Sequence, residues 1–317
     1  MKRVLLTGAT GFVGRSLCAI LAQAGYEVRA VTRTAGTAVS GAAQYVYVGD
    51  IGATTDWNEA LDGVDFVIHS AARAHRVNDP EANAHLYAAT NIDGTACLAR
   101  AASKFGVRRF VFLSTVKVNG EETDGRVYTS TDEPRPQDAY GTSKWLAEQA
   151  VNEIAAQTGM QAAIVRPPLV YGPGVRANFL RLMRWVDHQR PLPLGAIHNR
   201  RSLVSIWNLC DLLVNILDNP AAAHGTWMVS DANDLSTPEL IRRVAAAMQR
   251  RARLLPVPVA LLQAVGSLTG RTGEVRRLCG SLAVDVSRTR TALGWSPPMS
   301  VDEGLSRTVA WYLAEGR

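Results

Sequence analysis

Cysteine is scarce. The 317 residues hold four, Cys18, Cys97, Cys210 and Cys279, far apart and each in an apolar or helical setting. That distribution excludes a disulfide framework and a paired-cysteine zinc site, so no metal is expected and the four read as reduced core residues of a cytosolic protein. Long hydrophobic runs are lacking as well: the longest near the carboxyl end, 254–268, is broken by Pro256, Pro258, Gln263 and Gly266. It falls short of the about 20 residues that cross a bilayer, so no membrane insertion is expected and the run reads as a buried or amphipathic helix. Met1-Lys2-Arg3 leads straight into Val4-Leu5-Leu6 with no sign of a secretory leader, and a cytoplasmic location is expected.

Charge of one sign is in small surplus. Against 28 acidic residues stand 34 basic ones, a net charge of +6. It reads as an excess spread along the chain, suited to anionic small molecules as well as to nucleic acid. Arginine far outnumbers lysine, in short scattered pairs such as Arg108-Arg109, Arg200-Arg201 and Arg276-Arg277. With no basic arm to gather them, no nucleic-acid partner is expected. What the chain has in quantity is apolar: 47% hydrophobic and 20% charged residues describe a protein able to bury a large core, which excludes disorder and fibrous repeats.

The first half alternates short β-rich runs at 4–6, 27–31, 45–48, 66–68, 110–113 and 162–165 with helical stretches at 12–24, 56–61, 85–105 and 140–158. This alternation predicts an α/β protein with a doubly wound parallel sheet. Gly25, Gly106 and Gly159 stand where helices should stop. After Arg166-Pro167-Pro168, prolines at 173, 191 and 193 punctuate helical runs at 178–189, 209–217 and 237–251. The reading is a dinucleotide-binding domain over 1–166. Most of 167–317 reads as a smaller lobe on the carboxyl edge of the sheet, with some strands and helices returning to the first domain.

Thr7-Gly8-Ala9-Thr10-Gly11-Phe12-Val13-Gly14 joins the first strand to the first helix. In that context the glycines make a phosphate cradle. Gly8 permits the turn, Gly11 lets the backbone approach a pyrophosphate at the helix N-terminus, and Gly14 allows close helix-to-strand packing. The Gly-x-x-Gly-x-x-Gly spacing resembles the extended short-chain dehydrogenase/reductase superfamily, and further residues follow in register. Asp50-Ile51 resembles its adenine-contacting acidic dipeptide, His69-Ser70-Ala71-Ala72 the stretch that lines the cofactor, and Asn91-Ile92-Asp93-Gly94-Thr95 its central-helix N-x-x-G-T. The resemblance implies a Rossmann-type domain in which Gly8, Gly11, Phe12, Val13, Gly14, Asp50, Ile51, Ser70, Ala71, Ala72 and Asn91 hold NAD or NADP. The second strand ends Val31-Thr32-Arg33, without the acidic residue that clamps the ribose of NAD. Arg33, with Arg29, reads as a fork for a 2′-phosphate, the other reading being a solvated surface arginine, and NADP is favoured over NAD.

Tyr140 and Lys144 stand four residues apart in a helical run, on one face. A tyrosine acid/base needs such a neighbour, since bringing a phenol down by three pKa units takes about 4 kcal/mol. Ser114-Thr115 closes the fifth strand, where a hydroxyl can bond the reacting oxygen. Val118-Asn119-Gly120 resembles the family's V-Y-G, and counting back places Thr115 at its catalytic Ser/Thr. The resemblance implies hydride transfer between a sugar carbon and the nicotinamide. In that scheme Tyr140 moves the hydroxyl proton, Lys144 tunes it and holds the cofactor ribose, and Thr115 orients the substrate oxygen.

Arg166-Pro167-Pro168-Leu169-Val170-Tyr171-Gly172-Pro173 resembles the R-P-x-x-V-Y-G-P of nucleotide-sugar epimerases, dehydratases and reductases, which adds Pro167 to the implied cofactor contacts. The same family implies diphosphate contacts at Asn178 and Arg201 and, through a looser match, Arg271. A 4,6-dehydratase would follow Thr115 with Asp-Glu; Val116-Lys117 stand there instead and cannot perform its proton transfers. The missing ribose clamp and Arg33 favour a 4-ketoreductase or dehydrogenase acting at carbon 4 of a UDP-linked deoxy-amino hexose for surface-polysaccharide precursors. The alternatives are a UDP-hexose 4-epimerase with tightly bound NAD and a non-catalytic dinucleotide-sensing protein. Sugar choice is assigned to the second lobe and the loop 73–80. A homodimer through the helices at 85–105 and 140–158 is implied by the resemblance.

Overall fold

The computed structural model describes residues 1–73 and 84–316. Strands β1 (Arg3–Thr7), β2 (Glu27–Thr32), β3 (Gln44–Tyr47), β4 (Phe66–His69), β5 (Arg109–Leu113) and β6 (Gln161–Arg166) form where the sequence predicts them. Two further strands, β7 (Leu169–Tyr171) and β8 (Leu203–Ser205), make a separate parallel pair, and β9 (His224–Met228) joins the main sheet. That sheet has seven parallel strands in the order β3-β2-β1-β4-β5-β6-β9. Strands β1, β4 and β5 are buried almost end to end, which is why they read as continuous apolar runs. β9 was not expected, because His-Gly-Thr-Trp-Met is neither a continuous apolar run nor an alternation.

The helices are α1 (Phe12–Gln23), α2 (Asn58–Leu61), α3 (Ala84–Tyr87), α4 (Gly94–Lys104), α5 (Ala139–Thr158), α6 (Ala177–Asp187), α7 (Ile206–Asp218), α8 (Thr237–Ala247), α9 (Val259–Leu268), α10 (Thr272–Cys279), α11 (Ser287–Leu293) and α12 (Val301–Trp311). The helix expected over 85–105 is divided by a wide π-turn at Ala88–Asp93, which sets Asn91 in the interior. The helices closed by Gly25, Gly106 and Gly159 do stop there, each glycine taking a left-handed φ. One apolar layer puts α1 and α7 on one face of the sheet, and a second puts α2, α4 and α5 on the other. A third core, centred on Phe179, Met183, Ile241 and Leu305, belongs to the second lobe, and Phe12 packs against both it and the first layer.

The charge is not spread as expected. Residues 250–277 carry six arginines and one acidic residue, so this short stretch holds almost all of the +6. Scattered arginine pairs hid this, because the concentration comes from missing acids as much as from added bases.

Candidate active site

The sheet order reverses between β1 and β4, and the crevice beyond their carboxyl ends is where a doubly wound sheet binds ligands. The glycine loop lies there. Gly8 has φ +71°, and a Cβ on it would stand 2.7 Å from the Ala71 nitrogen; one on Gly14 would stand 2.1 Å from the Gly8 carbonyl oxygen. Loop, helix and the chain after β4 therefore meet backbone to backbone. Gly11 caps α1 without a side-chain bond, which leaves the first turn at Phe12, Val13 and Gly14 to an anion.

Beneath the loop runs a one-way proton chain. Thr95 Oγ1 donates to the Asn91 carbonyl at 2.6 Å, so it accepts from His69 Nε2 at 3.0 Å. His69 Nδ1 is then the acceptor for Thr7 Oγ1 at 2.7 Å, while Thr7 Oγ1 accepts from the Ala71 amide at 3.2 Å. Burial, with Lys144 nearby, pushes the His69 imidazole down to about 3 and keeps it neutral. Ser70 Oγ donates to the Thr7 carbonyl at 2.7 Å. Ser70 and Ala71 thus lie against the glycine loop, as expected of residues beside the cofactor. Asn91 is 1% exposed and bonds both backbone groups of Arg73, its Nδ2 also donating to Ser143 Oγ at 2.9 Å. It ties the chain after β4 to α5. These bonds make Asn91 a positioning residue for the chain after β4.

Two arginines expected at the ribose part company. Arg29 is 7% exposed, its Nη1 donates to the Glu59, Ala60 and Asp62 carbonyls and its Nε to Gln44 Oε1. It lies three residues short of the end of β2, about 10 Å of strand, and closes the end of α2; it holds no phosphate. Arg33 is at the strand end and exposed, but pairs with Asp50 at 3.6 Å. Asp50 thus puts beside Arg33 the acidic group whose absence favoured NADP. Ile51 packs over Gly94, where a Cβ would meet its methyl at 2.6 Å.

Tyr140 and Lys144, the expected acid/base pair, stand on α5. Asp138 caps this helix, its Oδ1 accepting from the Gly141 amide at 2.6 Å, and Lys117 Nζ holds its other oxygen at 2.7 Å. Gly141 lets the turn after Thr115 rest on α5, since a Cβ there would stand 2.9 Å from the Lys117 carbonyl oxygen. Thr115 Oγ1 accepts from the Lys117 amide at 3.3 Å, and Pro167 O accepts from the Val116 amide at 3.0 Å. One close contact therefore sets the Thr115 hydroxyl beside the first turn of the Tyr140 helix. The Tyr140 ring lies edge-on to Tyr87 at 6.3 Å. Burial, then Asp138 and Tyr87, push its phenol up to about 12. Lys144 is 1% exposed, its Nζ lies 3.9 Å from the Phe112 ring centre, and burial brings its ammonium down to about 7.

Behind Lys144 stands a pair that sequence reasoning missed. Glu148 bonds Arg166 twice, at 3.0 and 2.5 Å, and Ser114 Oγ donates to the same carboxylate. Arg166 Nη1 donates to Asn119 Oδ1 at 3.0 Å, so Asn119, where the family's V-Y-G has Tyr, closes this network. Glu148 is one helical turn beyond Lys144, the only local signal available.

The second lobe presents two clefts that share Trp185, Arg190 and Glu274. One, of about 570 Å³, is lined by Asn178, Arg181, Arg184 and Arg277 among others. The second, of about 420 Å³, is apolar, with Leu192, Leu194, Leu262, Val265 and Leu278, and Arg271 at its edge. Asn178 and Arg271, expected on one diphosphate, thus line different clefts. Arg201 donates to the Arg277 and Gly280 carbonyls at 2.8 and 3.0 Å and braces the wall of the first. Arg277, not singled out from the sequence, lines that cleft with a buried Nε that has no partner among the described residues. Glu122 joins this lobe to the turn after Thr115 by accepting from Arg276 Nε at 2.7 Å. Apart from Arg73, the loop 73–80 lies outside the described residues.

The sequence profile of the NAD-dependent epimerase/dehydratase family matches residues 4–229, which take in the glycine loop, Thr115, Tyr140 and Lys144. The chain belongs to that family. It is 44% identical to a UDP-glucose 4-epimerase of Vibrio cholerae, over 98% of this chain and 96% of that one. It is 27% identical to an N-acetyl-alpha-D-glucosaminyl-diphospho-ditrans,octacis-undecaprenol 4-epimerase of Escherichia coli O157:H7, over 97% and 94%. Among solved structures, MoeE5 in complex with UDP-glucuronic acid and NAD superposes with a TM-score of 0.79 at 25% identity, covering 98% of this chain and 99% of that one. The protein is therefore an enzyme of the NAD-dependent short-chain type with a Rossmann-like sheet. These relatives favour the 4-epimerase alternative over the 4-ketoreductase expectation. The open first turn of α1 and the loop too tight for a Cβ at Gly8 or Gly14 fit a dinucleotide.

Proposed function

We propose that this enzyme is a UDP-hexose 4-epimerase that retains NAD through the catalytic cycle, with residues 1–166 forming the cofactor domain and most of 167–317 the sugar-nucleotide lobe. The observation that carries the reading is 44% identity to a UDP-glucose 4-epimerase along nearly the whole chain, with Thr115, Tyr140 and Lys144 all in place. NAD is supported by the solved relative MoeE5, whose complex holds NAD.

When bound, NAD supplies the hydride acceptor and donor and a positive ring beside the phenol. Held at about 12 by burial, with Asp138 and Tyr87 adding to it, Tyr140 needs that charge to act as a base. Tyr140 then takes the proton of the sugar 4-hydroxyl while Thr115 bonds the same oxygen, and returns it once the 4-keto sugar has presented its other face. Lys144, near 7 in its dry site, gives or withholds charge with little penalty and holds the ribose. Asn178, Arg184 and Arg277 would hold the UDP diphosphate, with Arg201 supporting Arg277 from behind. The exposed Leu86 and Leu146 support a homodimer through the face of α3 and α5.

The test uses purified protein, UDP-glucose deuterated at carbon 4 and no added cofactor. Formation of UDP-galactose with the deuterium kept, even beside excess unlabelled NADH, is expected. A requirement for added NADPH, or net reduction of a UDP-4-keto sugar, would restore the ketoreductase reading. The same assay on UDP-N-acetylglucosamine reads sugar choice.

A further inference from the structure

Among the described residues no helix is long and apolar enough to cross a membrane. Yet α9, Val259–Leu268, contains no charged residue and turns much of its apolar surface outward. Leu261 is 54% exposed, Val265 50% and Leu268 87%, and Leu255, just before the helix, 49%. Positions 261, 265 and 268 follow the helical i, i+4, i+7 spacing, so they form one stripe. Single exposed apolar residues are ordinary, but four within fourteen positions beside an apolar groove form a patch, and patches mark interaction sites.

The surroundings of the stripe select the partner. Arg250, Arg251 and Arg253 are exposed ahead of it and Arg271 just behind it. The backbone bonds between Leu192 and residues 253–255 fix the leading arginines to the lobe. Of the six arginines in residues 250–277, Arg250 faces Asp187 at 3.7 Å, Arg276 faces Glu122 at 2.7 Å and Arg277 lines the neighbouring cleft, which leaves the charges of Arg251, Arg253 and Arg271 to this face. A second copy of this chain would bring like charge to like charge on this face. An anionic lipid surface complements both features, taking the leucines at the acyl boundary and the guanidinium groups among the headgroups.

We propose that α9 and the arginines at its two ends dock this enzyme peripherally on anionic membrane. The stripe and Leu255 together expose four apolar side chains, so docking is reversible and depends on charge and burial together. Binding would set the second lobe against the lipid, and it stands or falls independently of the sugar substrate.

The experiment is flotation of the full-length protein with vesicles of phosphatidylglycerol and phosphatidylethanolamine, and with phosphatidylcholine vesicles as contrast. At least about tenfold greater recovery with the anionic vesicles is expected, lost when salt shortens the screening length from about 10 to 3 Å. Leu261→Asp with Leu268→Asp should abolish flotation while UDP-sugar turnover and melting temperature hold. Arg251→Glu with Arg253→Glu should cut recovery about tenfold or more, and serves should the first double variant fold poorly. Equal recovery on both kinds of vesicle, or none on the anionic ones, would overturn the proposal. So would a leucine variant that floats as before, or one whose sole change is from dimer to monomer, which would make a second copy the occupant.

Discussion

Glu148 and Arg166, on the wall that carries Tyr140, keep only 3% and 5% of their side-chain surface exposed and bond each other, whereas Arg184, on α6, and Arg190, just after it, stand exposed beside an open cleft. The first wall has its polar groups fixed before any ligand arrives: Asp138 by Lys117, Asn91 by Arg73 and Ser143, His69 by two threonines. Chemistry that must place a proton to within a fraction of an ångström needs such a wall. The second wall keeps exposed charges, which suits the binding role proposed for it. Substitutions on the first should therefore alter turnover or folding, and those on the second should alter affinity.

The sharpest test is Tyr140→Phe. Removing the proton carrier should lower kcat for UDP-sugar interconversion by about 10³-fold or more, with the melting temperature and the NAD released on denaturation unchanged. Retention of a tenth of the activity would show that the proton goes elsewhere. Next comes Glu148→Ala, which leaves the Arg166 charge buried and unpaired. It should reduce the unfolding free energy by about 3–5 kcal/mol in urea titration. An equal loss from Arg184→Ala would erase the distinction between the two walls.

Lys144→Met should act in the opposite direction. With its pKa brought from 10.5 to about 7, the folded chain holds one proton fewer than the unfolded chain between those values. Its contribution to stability therefore rises with pH across that window, and the burial penalty is full below pH 7. Part of that penalty is offset by the Phe112 ring under the ammonium. The variant should be inactive and yet more stable at pH 7 by about 2 kcal/mol, with a flatter dependence of stability on pH between 7 and 10.5. A less stable Lys144→Met would mean that the amine is held by more than its function.

The same division explains what could be read in advance. Five of the first six strands are buried runs, β3 being the mostly exposed edge, and Tyr140-x-x-x-Lys144 is a local spacing, so both are visible in one dimension. Asp138, the cap of α5, has the residue type and position of a helix cap, yet the sequence reading did not single it out. The Glu148–Arg166 pair was beyond reach, because nothing local couples a helix residue to the end of a strand 18 positions on. Arg29 misled for the same reason: its partners are the ends of a helix 30 residues away. In the second lobe the arginines were seen, but which cleft each one faces depends on how α6, α9 and α10 pack, and Arg277 was passed over for Arg271.

Two smaller effects test the second wall and the rim of the first. Arg277→Ala should raise KM for the UDP-sugar about tenfold, or about 1.4 kcal/mol, with kcat nearly unchanged, because it holds a part of the substrate that does not react. Arg271→Ala, at the edge of the other cleft, should leave KM within about twofold, and the reverse order would move the diphosphate to the apolar groove.

Arg33→Ala should do least of all. Arg33 and Asp50 keep 77% and 89% of their side-chain surface in contact with water, and an exposed pair at 3.6 Å contributes little. NAD binding, followed by fluorescence titration of protein stripped of cofactor, should change by less than about threefold. The same titration with NADP is the more telling arm. If Asp50 neutralises Arg33, NADP binds weakly to the native protein and no worse to Arg33→Ala, while Asp50→Asn frees the guanidinium and strengthens NADP binding. If instead Arg33→Ala alone weakens NADP tenfold, the pair opens to admit the phosphate, and a cofactor exchanged at each turnover returns to consideration.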